Sequence, residues 1–101
     1  MDGVYTIPQI KSVVSDCAAR YGAERVFLFG SYARGEMTEE SDIDLRLDKG
    51  SIRGLQLAGM LCDLEDAFGK HVDLLTTGAL DDLFLQTIAG EEIMLYEHVP
   101  A

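Results

Sequence analysis

The sequence predicts an α/β (α+β) fold in which a small mixed sheet of about four strands packs against about three helices. Two observations indicate this class. Segments with helical spacing of apolar residues end at glycines, and short apolar runs typical of buried strands lie between them. The length of 101 residues suffices for one hydrophobic core, so we expect a single domain over residues 1–101.

The first helix is predicted to run from Ile7 to Tyr21. Thr6 and Gln9 have the spacing of a capping box, in which each side chain binds the backbone N–H of the other residue. Pro8 is compatible with the first turn of a helix because the N–H that it lacks would have no partner there. Gly22 is expected to end this helix in a left-handed conformation.

Two further helices are predicted, from about Gly54 to Phe68 and from about Leu80 to Ala89. Each is followed by a glycine, which is typical of a helix end. In the first of them the leucines with helical spacing and the final phenylalanine are expected to form the inner stripe. In the second, the residues expected to face the core are Leu80, Leu83, Phe84, Thr87 and Ile88.

Four short apolar segments predict the strands of the sheet. They are Val26–Phe29, about Ile43–Leu47, His71–Leu75 and Ile93–Tyr96. The last of these is a final short strand, and we expect it at an edge of the sheet.

A sharp turn at Gly30 and Ser31 follows the first predicted strand and leads into a single helical turn that ends at Gly35. The first N–H groups of a helix lack partners and carry partial positive charge, so they bind phosphate well. Gly30 has no Cβ and lets the backbone approach an anion closely, and Ser31 adds a hydroxyl donor. This segment therefore predicts a phosphate-binding turn.

Asp42 and Asp44 lie at the start of the second predicted strand. Residues i and i+2 of a strand share a face, so the two carboxylates are expected side by side while Ile43 and Leu45 enter the core. Adjacent carboxylates repel each other unless a cation lies between them, which predicts a divalent-metal site. The alternative is that Asp42 caps a turn and Asp44 is solvated; the nearby glycine-serine turn favours the metal site.

Asp73 is an acid inside the apolar third strand. A buried, unpaired aspartate is costly there, and a metal ion shared with Asp42 and Asp44 would remove that cost. The alternative is an edge-strand acid that reaches water. The neighbouring His71 is expected to be structural or exposed rather than catalytic.

The balance of charges excludes some partners. The chain has 18 acidic and 8 basic residues and a net charge of −10, which disfavours direct binding to nucleic acid or to an anionic membrane. Cys17 and Cys62 fall within helical patterns, so we expect buried thiols rather than a disulfide. The sequence has neither a leader-like segment nor a long apolar run, and we expect a cytoplasmic protein.

Together, Gly30-Ser31, Asp42-x-Asp44 and the later Asp73 resemble the DNA polymerase beta-like nucleotidyltransferase superfamily. The stretches Ala33-Arg34-Gly35 and Ser41-Asp42-Ile43-Asp44-Leu45 resemble its minimal nucleotidyltransferase branch, which includes the MntA-like antitoxins of HEPN/MNT modules. The resemblance implies that Asp42, Asp44 and Asp73 are catalytic and bind Mg²⁺, with two ions expected. It also implies that Gly30, Ser31 and Arg34 bind the phosphates of ATP.

The resemblance implies a function as well. A Mg²⁺-dependent protein adenylyltransferase would act as an antitoxin by transferring AMP from ATP to a tyrosine of a HEPN-domain ribonuclease toxin, in a hetero-oligomer. One alternative is a non-catalytic antitoxin that neutralises its partner by complex formation. Another is a nucleotidyltransferase that modifies a small molecule such as an antibiotic.

Arg46 departs from the family pattern, in which an apolar residue is usual at this position. By strand alternation it shares the face of Asp42 and Asp44. It is therefore expected either to pair with Asp48 or to approach the nucleotide.

Overall fold

The computed structural model describes residues 4–100 and contains a four-stranded mixed sheet with helices. The helices are α1 (Ile7–Tyr21), α2 (Gly30–Arg34), α3 (Gly54–Phe68) and α4 (Asp82–Ala89), and the strands are β1 (Arg25–Phe29), β2 (Ile43–Asp48), β3 (Val72–Thr76) and β4 (Ile93–Glu97). A short 3₁₀ turn, Thr77–Ala79, precedes α4. The predicted α/β class is confirmed. The single-domain prediction remains a prediction, and it includes residues 1–3 and 101, which lie outside the described residues.

The strand order is β3-β2-β1-β4, so β4 is an edge strand as expected. β1 runs antiparallel to β2 and to β4, whereas β2 and β3 are parallel and are connected through α3. The register places Asp44 opposite Phe29 on one side and opposite Asp73 on the other. The end of β1 and the starts of β2 and β3 therefore meet at one edge of the sheet.

The hydrophobic core lies between one face of the sheet and the helices α1 and α3. Alternate residues of β2 are buried, and they pack with the apolar stripes of both helices. Fully burying one such side chain stabilises the fold by about 1.5–3 kcal/mol. The polar residues of β2 occupy the opposite face, and this alternation directs Asp44 away from the core.

The ends of α1 and α3 lie where the sequence predicts them. In α1, the Thr6 hydroxyl accepts the Gln9 N–H at 3.2 Å and the Gln9 side chain accepts the Thr6 N–H at 2.8 Å, which completes the capping box. Gly22 and Gly69 adopt left-handed conformations after the two helices. The third strand begins one residue later than predicted, so His71 immediately precedes β3.

The prediction for the last helix is wrong in its start and in part of its inner face. Asp81 caps the helix by accepting the Phe84 N–H at 2.8 Å, so α4 begins at Asp82 rather than near Leu80. Ile88 is buried and Phe84 packs edge-to-face on Phe29. Two residues predicted to face the core are instead exposed, Leu83 (74%) and Thr87, because they lie away from the side of α4 that carries Ile88 and Phe84.

The two cysteines are free thiols, as expected, but only Cys17 is buried. Cys62 is exposed because the buried stripe of α3 passes through Met60 and Leu64 instead. Among the helices of residues 4–100, none combines the length and apolar character that a membrane span requires.

Candidate active site

The structure brings the three predicted acids together at the edge where β2 and β3 begin. Asp44 and Asp73 are paired across the parallel ladder, and their side chains share a hydrogen bond. Asp42 directly precedes β2 and is exposed. Asp44 is half-buried, and burial, the hydrogen bond to Asp73 and the negative charges of Asp73 and Asp42 raise its pKa to about 7. Burial and the neighbouring acids therefore disfavour the charged form of Asp44 unless a cation lies beside it.

This donor set fits Mg²⁺. The ion prefers carboxylate oxygens, and the repulsion that raises the pKa of Asp44 is what a bound divalent cation would remove. Asp42, His71 and Asp73 each have one possible ligand atom, and these three atoms lie within 4.8 Å of one another. The assignment of these acids as metal ligands and catalytic residues remains a prediction.

Gly30 begins α2 and packs directly against Asp44. Its φ is +76°, and a Cβ added at this position would collide with Asp44 Oδ2. The absence of a side chain is therefore required for the close approach of this turn to the carboxylate, in addition to any approach to an anion. Ser31 follows as a half-buried residue of α2.

The Gly30 N–H, predicted to bind phosphate, is occupied by an acid of the chain. It donates to Oε2 of Glu91 at 2.7 Å. Arg34 Nη1 donates to both oxygens of the same carboxylate, at 3.2 and 3.3 Å, and Arg34 Nε donates to Glu36 at 2.9 Å. Glu91 thus takes the place of an anion beside the turn. Sequence reasoning missed it, because no local pattern connects Glu91 with a turn 61 residues earlier.

Lys70 fixes the loop that leads to Asp42. Its ammonium group donates to the carbonyl oxygens of Ser41 (2.8 Å) and Glu39 (3.3 Å) and to the Tyr32 hydroxyl (3.1 Å). Apart from Met37, which packs against the core, the loop is polar and largely exposed. These bonds hold the segment immediately before Asp42 against the start of β3.

His71 also contacts the acid centre, which sequence reasoning did not predict. Nε2 lies 2.8 Å from Asp73 Oδ1 and Nδ1 lies 3.3 Å from Glu65 Oε2. The hydrogen bond to Asp73 is the largest cause of a raised pKa for this imidazole. The available signal was its position two residues before Asp73, which places both side chains on one face of an extended segment.

Arg46 lies on the same sheet face but is held by protein groups. It forms a two-point ion pair with Glu92, with Nη2 2.8 Å from Oε1, and Nη1 donates to the Thr77 hydroxyl at 2.8 Å. The guanidinium also lies 4.1 Å from the centre of the Phe27 ring. The expected pairing of Arg46 with Asp48 is present, with Nη1 3.4 Å from Oδ1. This contact is longer than the one between Arg46 and Glu92.

Comparison with known protein families matches residues 11–100 to the family described as polymerase beta, nucleotidyltransferase. A protein of Methanocaldococcus jannaschii is 35% identical over 88 residues, which are 86% of this chain and 95% of the relative. That relative is named as a protein adenylyltransferase.

Two solved structures share the fold. A minimal nucleotidyltransferase superimposes with a TM-score of 0.76 at 32% identity, covering 88% of this chain and 95% of the other. A chain from the complex of a tri-AMPylated Shewanella oneidensis HEPN toxin with an MNT antitoxin gives a TM-score of 0.70 at 16% identity, covering 92% and 74%. At that identity the second likeness supports the fold alone.

Proposed function

The chain belongs to the polymerase beta nucleotidyltransferase family, and from this premise we propose that it is a Mg²⁺-dependent protein adenylyltransferase acting as an antitoxin. It would transfer AMP from ATP to a tyrosine of a HEPN-domain toxin. The enzyme class, nucleotidyltransferase, follows from the family. The substrate, metal and partner are our proposal.

The observation that carries the proposal is the convergence of Asp42, Asp44 and Asp73 beside the Gly30 turn. Asp44 and Asp73 share a hydrogen bond, and Gly30 lies in contact with Asp44. A carboxylate whose pKa is raised to about 7 by burial and by two neighbouring acids destabilises a fold, so such a cluster is typical of a functional site.

The residues have distinct roles in the proposed reaction. Mg²⁺ held by Asp42, Asp44 and Asp73 would neutralise charge on the triphosphate. Ser31, the Gly30 turn and Arg34 would bind the phosphates, with Arg34 exchanging its contact with Glu91 for the nucleotide.

The Asp73 carboxylate would accept the proton of the tyrosine hydroxyl as the phenolic oxygen attacks the α-phosphorus. A new bond between this oxygen and phosphorus forms, the bond from the α-phosphorus to the bridging oxygen breaks, and pyrophosphate leaves.

The proposed partner agrees with two further features. The net charge of −10 suits a basic partner such as an RNA-binding toxin. The pairing that we propose is the one named for the Shewanella oneidensis complex of an AMPylated HEPN toxin with an MNT antitoxin, whose structure shares the fold. An added AMP brings negative charge, which would repel RNA from the ribonuclease site of the toxin.

The test is transfer of label from ATP labelled at the α-phosphate to the product of the neighbouring gene, which is the HEPN-domain toxin of this proposal, in the presence of Mg²⁺. We expect labelling of the toxin at tyrosine, with a loss of more than about 100-fold in the Asp42→Asn/Asp44→Asn variant. Neutralisation of the toxin in cells by this variant, at the level of the parent protein, would favour the non-catalytic antitoxin. Absence of label with both proteins folded and active would overturn the transfer reaction.

A further inference from the structure

A nitrogen ligand lies at the exposed side of the acid centre. Asp42, His71 and Asp73 each offer one ligand atom, and these atoms lie within 4.8 Å of one another. We propose that these three side chains form a mixed nitrogen and oxygen site for a divalent transition-metal ion such as Mn²⁺ or Co²⁺. The inference rests on the proposed function to the extent that both use Asp42 and Asp73.

The distances require only a small adjustment. Ligand atoms about 2.1 Å from a common ion lie at most about 4.2 Å apart. The side chains of His71 and Asp73 are 57% and 44% exposed. Small rotations of these side chains, which shift their ligand atoms by a few tenths of an ångström, therefore meet little steric resistance. Nε2 of His71 and Oδ1 of Asp73 are already 2.8 Å apart, a separation that is suitable for two ligands of one ion.

A carboxylate, Glu65, lies beside the second ring nitrogen of His71, on the side where metal-bound histidines generally have an acidic partner. Its Oε2 lies 3.3 Å from Nδ1 of His71, and the same oxygen accepts the backbone N–H of Val72 at 3.1 Å. Histidine ligands generally donate their second ring N–H to a carboxylate or carbonyl, which fixes the ring and makes the ligating nitrogen more basic. With Glu65 on the Nδ1 side of the ring, Nε2 is directed at Asp73, and an ion would replace the proton between Nε2 and Asp73.

The donor types determine which ion is favoured. Imidazole nitrogen binds first-row transition metals far better than Mg²⁺, which prefers oxygen ligands and retains its waters. Asp44, which is more buried than Asp42, has the carboxylates of Asp73 and Asp42 beside it, so its surroundings suit the hard ion. His71 therefore makes the site formed with Asp42 and Asp73 selective for transition-metal ions. The oxygen ligands at Asp44 continue to favour Mg²⁺.

A different role for His71 would be that of a protonated counter-ion to Asp73. In that case its removal would change the binding of every divalent ion in the same direction and by a similar factor, because only charge is altered. A ligand role predicts selective loss for nitrogen-preferring ions. Binding measurements with the metals alone separate the two roles.

The test uses the untagged full chain titrated with MnCl₂, CoCl₂ or MgCl₂ in a calorimeter, and the visible absorption of bound Co²⁺. We expect His71→Ala to weaken Co²⁺ and Mn²⁺ at least about tenfold and to change the Co²⁺ spectrum, with Mg²⁺ affinity kept within about twofold. Glu65→Gln is expected to weaken Co²⁺ in the same direction. His98→Ala, at the other histidine of the chain, is the control and should change none of these values.

Equal weakening of all three ions by His71→Ala, or no weakening of any, would overturn the inference. Either result leaves the proposed adenylyl transfer intact, since Mg²⁺ binding and transfer are measured separately. If the parent protein binds no divalent ion at all, both this inference and the proposed Mg²⁺ site fail.

Discussion

At the scale of single residues, the site depends on how closely Gly30 approaches Asp44. Gly30 and Gly35 flank the same short helix, and both have positive φ values, 76° and 75°. Only at Gly30 would an added Cβ meet another group, the carboxylate of Asp44. At Gly35 no heavy atom lies within 4 Å of the added Cβ. Alanine substitutions at Gly35 and Gly30 therefore distinguish two effects. The first imposes backbone strain alone, and the second also displaces the Asp44 carboxylate.

We expect Gly35→Ala to cost about 1–2 kcal/mol of stability, the strain of a left-handed residue, and to keep adenylyl transfer. Gly30→Ala carries the same strain and also pushes Asp44 from its position, so it should unfold at lower urea and lose about 100-fold in transfer rate. Urea denaturation and initial rates with labelled ATP measure both. Equal losses of transfer rate in the two variants would show that the contact with Asp44 is not important.

The ionisation of Asp44 leads to a second expectation. Its pKa rises from 3.8 to about 7 on folding, so the native state binds this proton more tightly than the unfolded state. The metal-free protein should be most stable below about pH 4 with respect to this group and should lose stability as pH rises to about 7. Above that range the carboxylate is charged in both states and the penalty stays constant.

Asp44→Asn removes this charge. In EDTA at about pH 8 the variant should therefore be more stable than the parent, and its stability should fall less between about pH 4 and pH 7. Addition of Mg²⁺ should stabilise the parent and not the variant. The measurement is urea denaturation at several pH values, with Glu39→Gln in the exposed loop as the control. A parent and variant with the same pH profile would contradict the assigned cause.

At the scale of elements, the turn between α4 and β4 brings Glu91 to the start of α2. The docking of Phe84 on Phe29 holds α4 against the end of β1, at the residue that precedes Gly30. Glu91 then accepts the Gly30 N–H and contacts Arg34. A nucleotide that uses the same donors must displace this carboxylate and also tolerate its charge.

Removal of that charge should strengthen nucleotide binding. We expect Glu91→Gln to bind an ATP analogue with a non-cleavable α–β bond about tenfold more tightly, which corresponds to about 1.4 kcal/mol, the scale of one hydrogen bond to a charged group. Glu36→Gln is the matched control, because Glu36 also binds Arg34, whereas the Gly30 N–H is bound by Glu91. Calorimetry measures both affinities. Weaker binding by Glu91→Gln would instead mean that Glu91 holds Arg34 in place for the nucleotide.

Elements defined by local sequence were predicted well. The helices α1 and α3 have the predicted bounds because capping residues and glycines fix their ends locally. The proximity of Asp42, Asp44 and Asp73 follows from strand alternation and register, which can be predicted from the sequence, whereas their role as metal ligands stays a prediction.

What depends on tertiary placement was missed. The exposure of Leu83 follows from where α4 begins and which side of it docks, and the contact of Glu91 with Gly30 crosses from one end of the chain to its middle. The strand position of His71 does not reveal that Glu65 of α3 lies 3.3 Å from its Nδ1. None of these relations leaves a periodic signal in the sequence.

At the scale of the whole molecule, charge is the dominant feature. The net charge of −10 is spread over a chain of 101 residues, and exposed acids such as Glu36, Glu39 and Glu40 border the acid centre. A basic partner would be drawn toward this field over distances of about one Debye length, about 8 Å at physiological salt. Electrostatic attraction of this kind raises association rates more than it slows dissociation.

We therefore expect the rate of association with the proposed toxin partner to fall at least about tenfold between about 50 and 500 mM NaCl, while the dissociation rate changes little. Glu39→Gln/Glu40→Gln, beside the site, should slow association at low salt. Glu24→Gln/Glu97→Gln is the matched control, since it removes the same charge beside Arg25, at the opposite end of β1 from Gly30. Stopped-flow mixing of the two proteins measures these rates. If both double variants slow association equally, net charge alone attracts the partner; if neither variant nor salt has an effect, the association is not steered by charge.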